Sequence, residues 1–101
     1  MNLSDVRVHA MSLAGVTEEP HHYRTSFRVG GKIFVTAIPD EPFINIMLSE
    51  TAREPVLAMY PEFLEKLFWG KRVVGVSVDL AAADEAVVCE LIEQAWAERA
   101  N

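Results

Sequence analysis

Five consecutive residues, Glu18-Glu19-Pro20-His21-His22, concentrate carboxylates and imidazoles, the groups that bind divalent metals or transfer protons. Neighbouring side chains of an extended segment point to opposite sides, so His21 and His22 do not easily share one ion. The pattern therefore predicts an exposed polar turn from Thr17 to His22 and no metal site.

Cys89 is the single cysteine, and a nucleophilic cysteine needs a base beside it and a lowered pKa. The three histidines lie in no known cysteine-enzyme signature. Position 89 is close to the apolar stripe of the last predicted helix, which favours a structural thiol. No serine has the context of a nucleophile elbow, and Gly30-Gly31-Lys32 lacks the glycine spacing and following helix of a phosphate loop. We expect no catalytic residue, no cofactor and no enzymatic activity.

Two groups of cations are the candidates for binding a polyanion. Residues 20–39 contain three cations and no Asp or Glu, and the segment Trp69-Gly70-Lys71-Arg72 joins two more cations to an aromatic ring that can stack on a base. The predicted nucleic-acid-binding residues are Arg24, Arg28, Lys32, Trp69, Lys71 and Arg72. Alternatively, the cations belong to an ordinary solvated sheet surface, and Trp69 with Phe68 closes one end of the core.

The whole chain is acidic, with a formal net charge of −6 over 101 residues. The acids crowd the end of the chain, since six of them and a single cation follow residue 78. An acidic protein with few cations predicts weak, salt-dependent DNA binding from one side only. The length and the 50% apolar content predict one domain over residues 1–101. With no apolar run of membrane length and no leader pattern, we expect no membrane contact and a cytoplasmic location.

The elements that position these residues follow from periodicity and turn chemistry. An amphipathic helix is predicted from Leu3 to Ala14 with Ser4 as its N-cap. The β-prone runs 23–29 and 32–38 around Gly30-Gly31 predict a hairpin that pairs Phe27 with Phe34 and Arg28 with Ile33. Tyr23, Phe27, Val29, Phe34 and Ile38 are then on the core side.

The second half of the chain alternates helices and strands. A strand is predicted over 43–48, followed by a helix that Ser49 caps and that Pro55 shortens or breaks before Met59. The alternation in 73–80 predicts a strand, and an apolar stripe in 84–99 predicts a helix that covers the sheet. The order α-β-β-β-α-β-α predicts an α+β domain, an antiparallel sheet with helices packed on one face.

Several segments resemble the MmcQ/YjbR family of small bacterial proteins over essentially the whole chain. They are Leu13-Ala14-Gly15-Val16-Thr17-Glu18-Glu19 after the first helix, Thr25-Ser26-Phe27-Arg28-Val29-Gly30-Gly31-Lys32-Ile33-Phe34 in the hairpin, and Val78-Asp79-Leu80 before the last helix, which ends near Trp96. The resemblance implies a fold similar to secretion chaperones, also called a double-wing arrangement, and a DNA-binding function.

Two functions from different classes remain open. The first is a non-enzymatic DNA-binding protein. The second is a protein-interaction or dimer-forming module without a nucleic-acid role, which the secretion-chaperone-like fold and the high apolar content favour. Salt-dependent binding to DNA would favour the first function, and a stable dimer that does not bind DNA would favour the second.

Overall fold

Three helices and six strands follow one another along residues 1–101 of the computed structural model. The helices are α1 (Leu3–Met11), α2 (Glu50–Met59) and α3 (Glu85–Ala100). The strands are β1 (Val16–His21), β2 (Arg24–Val29), β3 (Lys32–Ala37), β4 (Phe43–Met47), β5 (Leu64–Trp69) and β6 (Arg72–Asp79). They form one antiparallel sheet in the order β1-β2-β3-β4-β6-β5, which confirms the α+β prediction.

The core lies between one face of this sheet and the helices. Directly opposed residues of neighbouring strands share a face, and one such row runs through Phe27, Val35, Ile46 and Val76, all without exposed surface. The predicted apolar stripe of α3 packs against this side. Its buried members are Val88, Leu91, Ile92 and Ala95. None of the three helices is long and apolar enough to cross a membrane.

The first helix differs from its prediction at both ends. Asn2, not Ser4, is the N-cap, because Asn2 and Asp5 bond each other's backbone N–H in a capping box. The helix ends at Met11 rather than Ala14.

The hairpin around Gly30-Gly31 is confirmed. Both glycines have positive φ, +58° and +76°, which only glycine adopts without strain. Arg28 lies opposite Ile33, as predicted.

A register shift between Phe27 and Arg28 changes the rest of the pairing. Phe27 lies opposite Val35 instead of Phe34, and both Phe34 and Val35 are fully buried. Tyr23, which was predicted on the core side, is 70% exposed. An irregularity of this kind places two successive residues against one, so period-2 alternation stops predicting faces beyond it.

The two strands that the sequence did not predict, β1 and β5, are the two edges of the sheet. The predicted polar turn at 17–22 is β1, and the predicted loop at Trp69–Arg72 is the tight turn that joins β5 to β6. The second helix is confirmed as short, with Ser49 as its N-cap, but it continues unbroken through Pro55.

Candidate functional site

A groove crosses the face of the sheet that the helices leave open. Its volume is about 240 Å³, and eleven residues from the sheet and from the β1–β2 turn line it. They are His21, His22, Tyr23, Arg24, Ile33, Thr36, Asn45, Met47, Leu67, Phe68 and Trp69.

The walls of the groove come from diagonally opposite corners of the sheet. One wall is the β1–β2 turn with its flanking residues, 21–24, and the other is the end of β5, 67–69. These segments belong to opposite edges and to opposite strand ends. Strand twist turns a broad sheet into a saddle, in which one diagonal pair of corners rises on the same side. The twist therefore encloses a groove that a flat sheet would not have.

No acidic side chain lines this groove, although the chain carries fifteen Asp and Glu. The cation of the site is Arg24, whose guanidinium lies 5.3 Å from the ring centre of Tyr23 in a cation–π arrangement. The rings of His21 and His22 lie 4.9 Å apart beside it. The groove is therefore suited to an anionic ligand.

Three aromatic side chains of the groove are unusually open to solvent. Tyr23 is 70% exposed, Trp69 is 62% exposed and Phe68 is 54% exposed. Large apolar side chains exposed together on one surface mark a binding site more often than a structural role. This exposure excludes the alternative interpretation, in which Trp69 closes one end of the core.

Polar residues form the middle of the groove floor. Thr36 of β3 and Asn45 of β4 are directly opposed, and both line the groove. In a neighbouring row, Gly75 lies directly between Met47 and Leu67. Because glycine has no side chain, this row has a gap between the two apolar side chains. The row of polar residues that contains Thr36 and Asn45 ends in an acid at each edge of the sheet, Glu19 in β1 and Glu65 in β5. Neither of these two acids lines the groove.

The structure brings together two of the six residues predicted to bind nucleic acid, Arg24 and Trp69. Arg28 shares the open face, but its guanidinium donates to Ser26 Oγ at 2.9 Å and to the Pro20 carbonyl at 3.5 Å. Its charge is thereby held over the β1 edge.

The other three predicted residues lie outside the groove. Lys32 is opposite the buried Val29, on the helix-facing side of the sheet. Lys71 lies in the β5–β6 turn, and Arg72 is directly opposite Trp69 at the start of β6. Nucleic-acid contact by all six residues stays a prediction.

The sequence did not reveal His21, His22, Tyr23, Phe68 and Asn45 as groove residues. Tyr23 beside Arg24 is the one local signal, an aromatic ring next to a cation. The other residues become neighbours only through the order and twist of the strands.

Cys89 lies on α3, on the other side of the sheet from the groove. Burial raises its pKa, and Glu85 and Glu93 raise it further, so the thiol stays protonated at neutral pH. No group of three or more potential metal ligands lies together in the structure.

Comparisons with known proteins give a family and a fold. A family model described as YjbR matches residues 11–98. The crystal structure of Deinococcus radiodurans protein DR2400, whose domain is described as DUF419, superposes with a TM-score of 0.81. The match covers 94% of this chain and 75% of that one at 14% identity, so it concerns the fold alone. No curated protein sequence matches the chain.

Proposed function

Because the chain belongs to the YjbR family, and because the family resemblance implies DNA binding, we propose that it is a non-enzymatic protein that binds single-stranded DNA across the open face of its sheet. The observation that carries the proposal is the acid-free groove with three exposed aromatic side chains and Arg24, in a chain of net charge −6.

Electrostatics decide where a polyanion can lie on such an acidic molecule. A phosphate backbone is repelled by most of this surface and is attracted where cations lie without acids. Arg24 is inside the groove, and Lys71 and Arg72 lie just beyond Trp69. The backbone would therefore enter over the β5–β6 turn and cross towards Arg24.

The exposed aromatic rings favour a single strand over a duplex. The face of a base is accessible to Tyr23, Phe68 or Trp69 only when the base is unstacked. Stacking of this kind contributes about 1–3 kcal/mol per base and is largely independent of sequence.

A role in binding without catalysis also fits the rest of the molecule. The thiol of Cys89 is held protonated on the far side of the sheet.

A protein-contact function has one observation of its own. Val8 and Met11 are 73% and 44% exposed three residues apart on α1, and therefore form a small apolar patch.

The test is fluorescence anisotropy with a labelled single strand of about ten nucleotides and with the matching duplex, at about 50 and 150 mM salt. We expect the single strand to bind more tightly and both complexes to weaken as salt increases. Trp69→Ala should weaken binding to the single strand about tenfold, the equivalent of one lost stacking contact.

The control is Met59→Ala, because Met59 is 63% exposed but lies on α2, away from the open face of the sheet. It should bind like the parent protein. If neither probe binds at the lower salt concentration, the proposal is wrong. In that case a dimer seen by light scattering, and lost in Val8→Asp, would favour the protein-contact function.

A further inference from the structure

The floor of the groove carries hydrogen-bonding groups that the fold itself does not use. Thr36 and Asn45 are directly opposed in the centre of the sheet, and both line the groove. Their neighbour in the same polar row, Ser26, instead donates to the Glu19 carbonyl and accepts from Arg28.

The positions of Thr36 and Asn45 keep their polar atoms available to a ligand. Thr36 is 95% buried within the sheet, yet its hydroxyl is neither bonded to another protein group nor sealed from solvent. The carboxamide of Asn45 is likewise without a protein partner. The fold therefore leaves this polar pair free at the bottom of a groove with aromatic walls, where it can form hydrogen bonds to a ligand.

The chemistry of the pair specifies what the groove can recognise. A carboxamide presents a donor and an acceptor side by side, which match the N6 and N7 edge of adenine, and a hydroxyl can do either. A volume of about 240 Å³ lies below the range of roughly 300–1,000 Å³ for drug-sized sites, so it suits one base rather than two.

Taking the proposed single-strand binding as the premise, we infer that the groove admits one unpaired base, that Asn45 and Thr36 bind the edge of this base, and that adenine is preferred. Tyr23 and Trp69 lie at the two ends of the groove, where flanking bases can stack on them, and Arg24 beside Tyr23 is placed to bind a phosphate. A base within a duplex must first be extruded before its edge reaches the floor, which disfavours the duplex.

The experiment measures the anisotropy of labelled oligonucleotides of equal length that contain only adenine, only cytosine or only thymine. A fourth strand of equal length and charge carries abasic sites throughout. We expect the adenine strand to bind about five- to tenfold more tightly than the cytosine and thymine strands, and the abasic strand to bind weakest.

Two variants at one position test the recognition itself. Asn45→Ala should remove the preference for adenine and leave the affinity for the abasic strand unchanged. Asn45→Asp keeps the size of the side chain but only accepts hydrogen bonds, so it can no longer donate to adenine N7. It should therefore reduce the preference for adenine, and its negative charge should weaken the binding of every strand. The control is Ser77→Ala, because Ser77 is opposite Asn45 in the same row but lies outside the groove.

The outcomes separate this inference from the proposed function. If the abasic strand binds as tightly as the adenine strand, or if Asn45→Ala folds normally and keeps the preference, base recognition is wrong while single-strand binding stands. If no strand binds, both are wrong.

Discussion

Glu18 is the residue at which three elements meet. Its carboxylate accepts from Arg7 Nε of α1 at 2.7 Å, from a second Arg7 nitrogen at 3.0 Å, and from the Thr25 hydroxyl of β2 at 2.7 Å. The hydrogen bonds from Arg7 lower the pKa of Glu18 below its usual range, against the opposing effect of partial burial. The pair therefore fastens the first helix to the edge of the sheet.

This lowered pKa makes part of the stability dependent on pH. A carboxyl with a lower pKa in the folded state stabilises above its unfolded pKa of about 4.3, and this contribution is lost as pH falls through the folded value. We expect Glu18→Gln to lose about 1 kcal/mol at pH 7, a modest value because Arg7 is partly exposed.

Urea denaturation at pH 7, 5 and 3 measures this effect. The difference between Glu18→Gln and the parent protein should shrink as pH decreases, whereas Glu62→Gln, at an exposed turn residue, should match the parent throughout. A difference that stays constant down to pH 3 contradicts the assignment.

Gly75 is required by a close approach of two strands. A Cβ atom at this position would lie 2.0 Å from the carbonyl oxygen of Ile46, which is backbone and cannot move aside without disturbing β4. We expect Gly75→Ala to destabilise the protein by about 3 kcal/mol, measured as a shift of the urea midpoint.

Gly70 provides the control for Gly75. Its surroundings are open, and an alanine there meets only the cost of its positive φ, about 1 kcal/mol. Equal midpoints for Gly70→Ala and Gly75→Ala would show that the strands separate easily.

At the scale of the elements, β1 and β5 are the two strands that the sequence did not predict. Interior strands carry alternating or continuous apolar residues, and the periodicity predicted β2, β3, β4 and β6. The edge strands have sequences Val-Thr-Glu-Glu-Pro-His and Leu-Glu-Lys-Leu-Phe-Trp, with few buried positions. Charges and proline at an edge oppose pairing with other chains. The same residues also interrupt the apolar alternation by which a strand is predicted from sequence.

Helix α2 is the element least supported by the core, since none of its residues is buried. Its N-terminus is held by Glu98 of α3, which accepts from the backbone N–H and from the hydroxyl of Ser49. Burial raises the pKa of Glu98, but the two bonds from Ser49, a bond from Gln94 and the charge of Arg99 together outweigh it, so the pKa lies below its usual value. The carboxylate is therefore charged when it binds the helix end.

We expect Glu98→Ala to accelerate hydrogen exchange of the α2 amides about fivefold, the effect of losing about 1 kcal/mol of local stability. The amides of α3 should keep their protection. Glu90→Ala, at an exposed position of the same helix, should change neither set. Equal acceleration across the whole protein would indicate a global effect instead.

At the scale of the whole molecule, the acid-free groove contrasts with the acidic surface of α3. The groove contains no acid, whereas Glu90 and Glu93 lie on α3 beyond the sheet. A polyanion is therefore expected to approach from one direction only.

Charge reversals of equal size at two places test this asymmetry. Arg24→Glu and Lys66→Glu change the net charge identically, but Lys66 is exposed and faces the helix side, opposite Val76. We expect Arg24→Glu to weaken single-strand binding at least about tenfold and Lys66→Glu to weaken it about twofold at most, measured at about 50 mM salt. Equal losses would mean that only net charge matters.

The salt dependence sets an upper limit on the phosphates engaged. The predicted site offers five cations, so the slope of log affinity against log salt should be no steeper than about −3.5 for a single strand.

The candidate site was predictable only in part. Arg24 and Trp69 were identified because a cation and an aromatic ring are recognisable one residue at a time. Asn45 in a buried-looking strand carries no such signal, and its importance comes from lying opposite Thr36 below two walls from distant segments. Strand order and twist create that arrangement, and neither can be predicted from a short stretch of sequence.

The two walls of the groove belong to the first and the last hairpin of the sheet, so an occupant that touches both walls bridges its opposite edges. Such an occupant binds only the fully assembled chain and therefore shifts the folding equilibrium by mass action. At a concentration one hundred times its Kd it adds about 2.7 kcal/mol to the free energy of unfolding. Thermal melting then becomes a label-free screen for the occupant, and partial unfolding of either edge strand empties the groove before the core is lost.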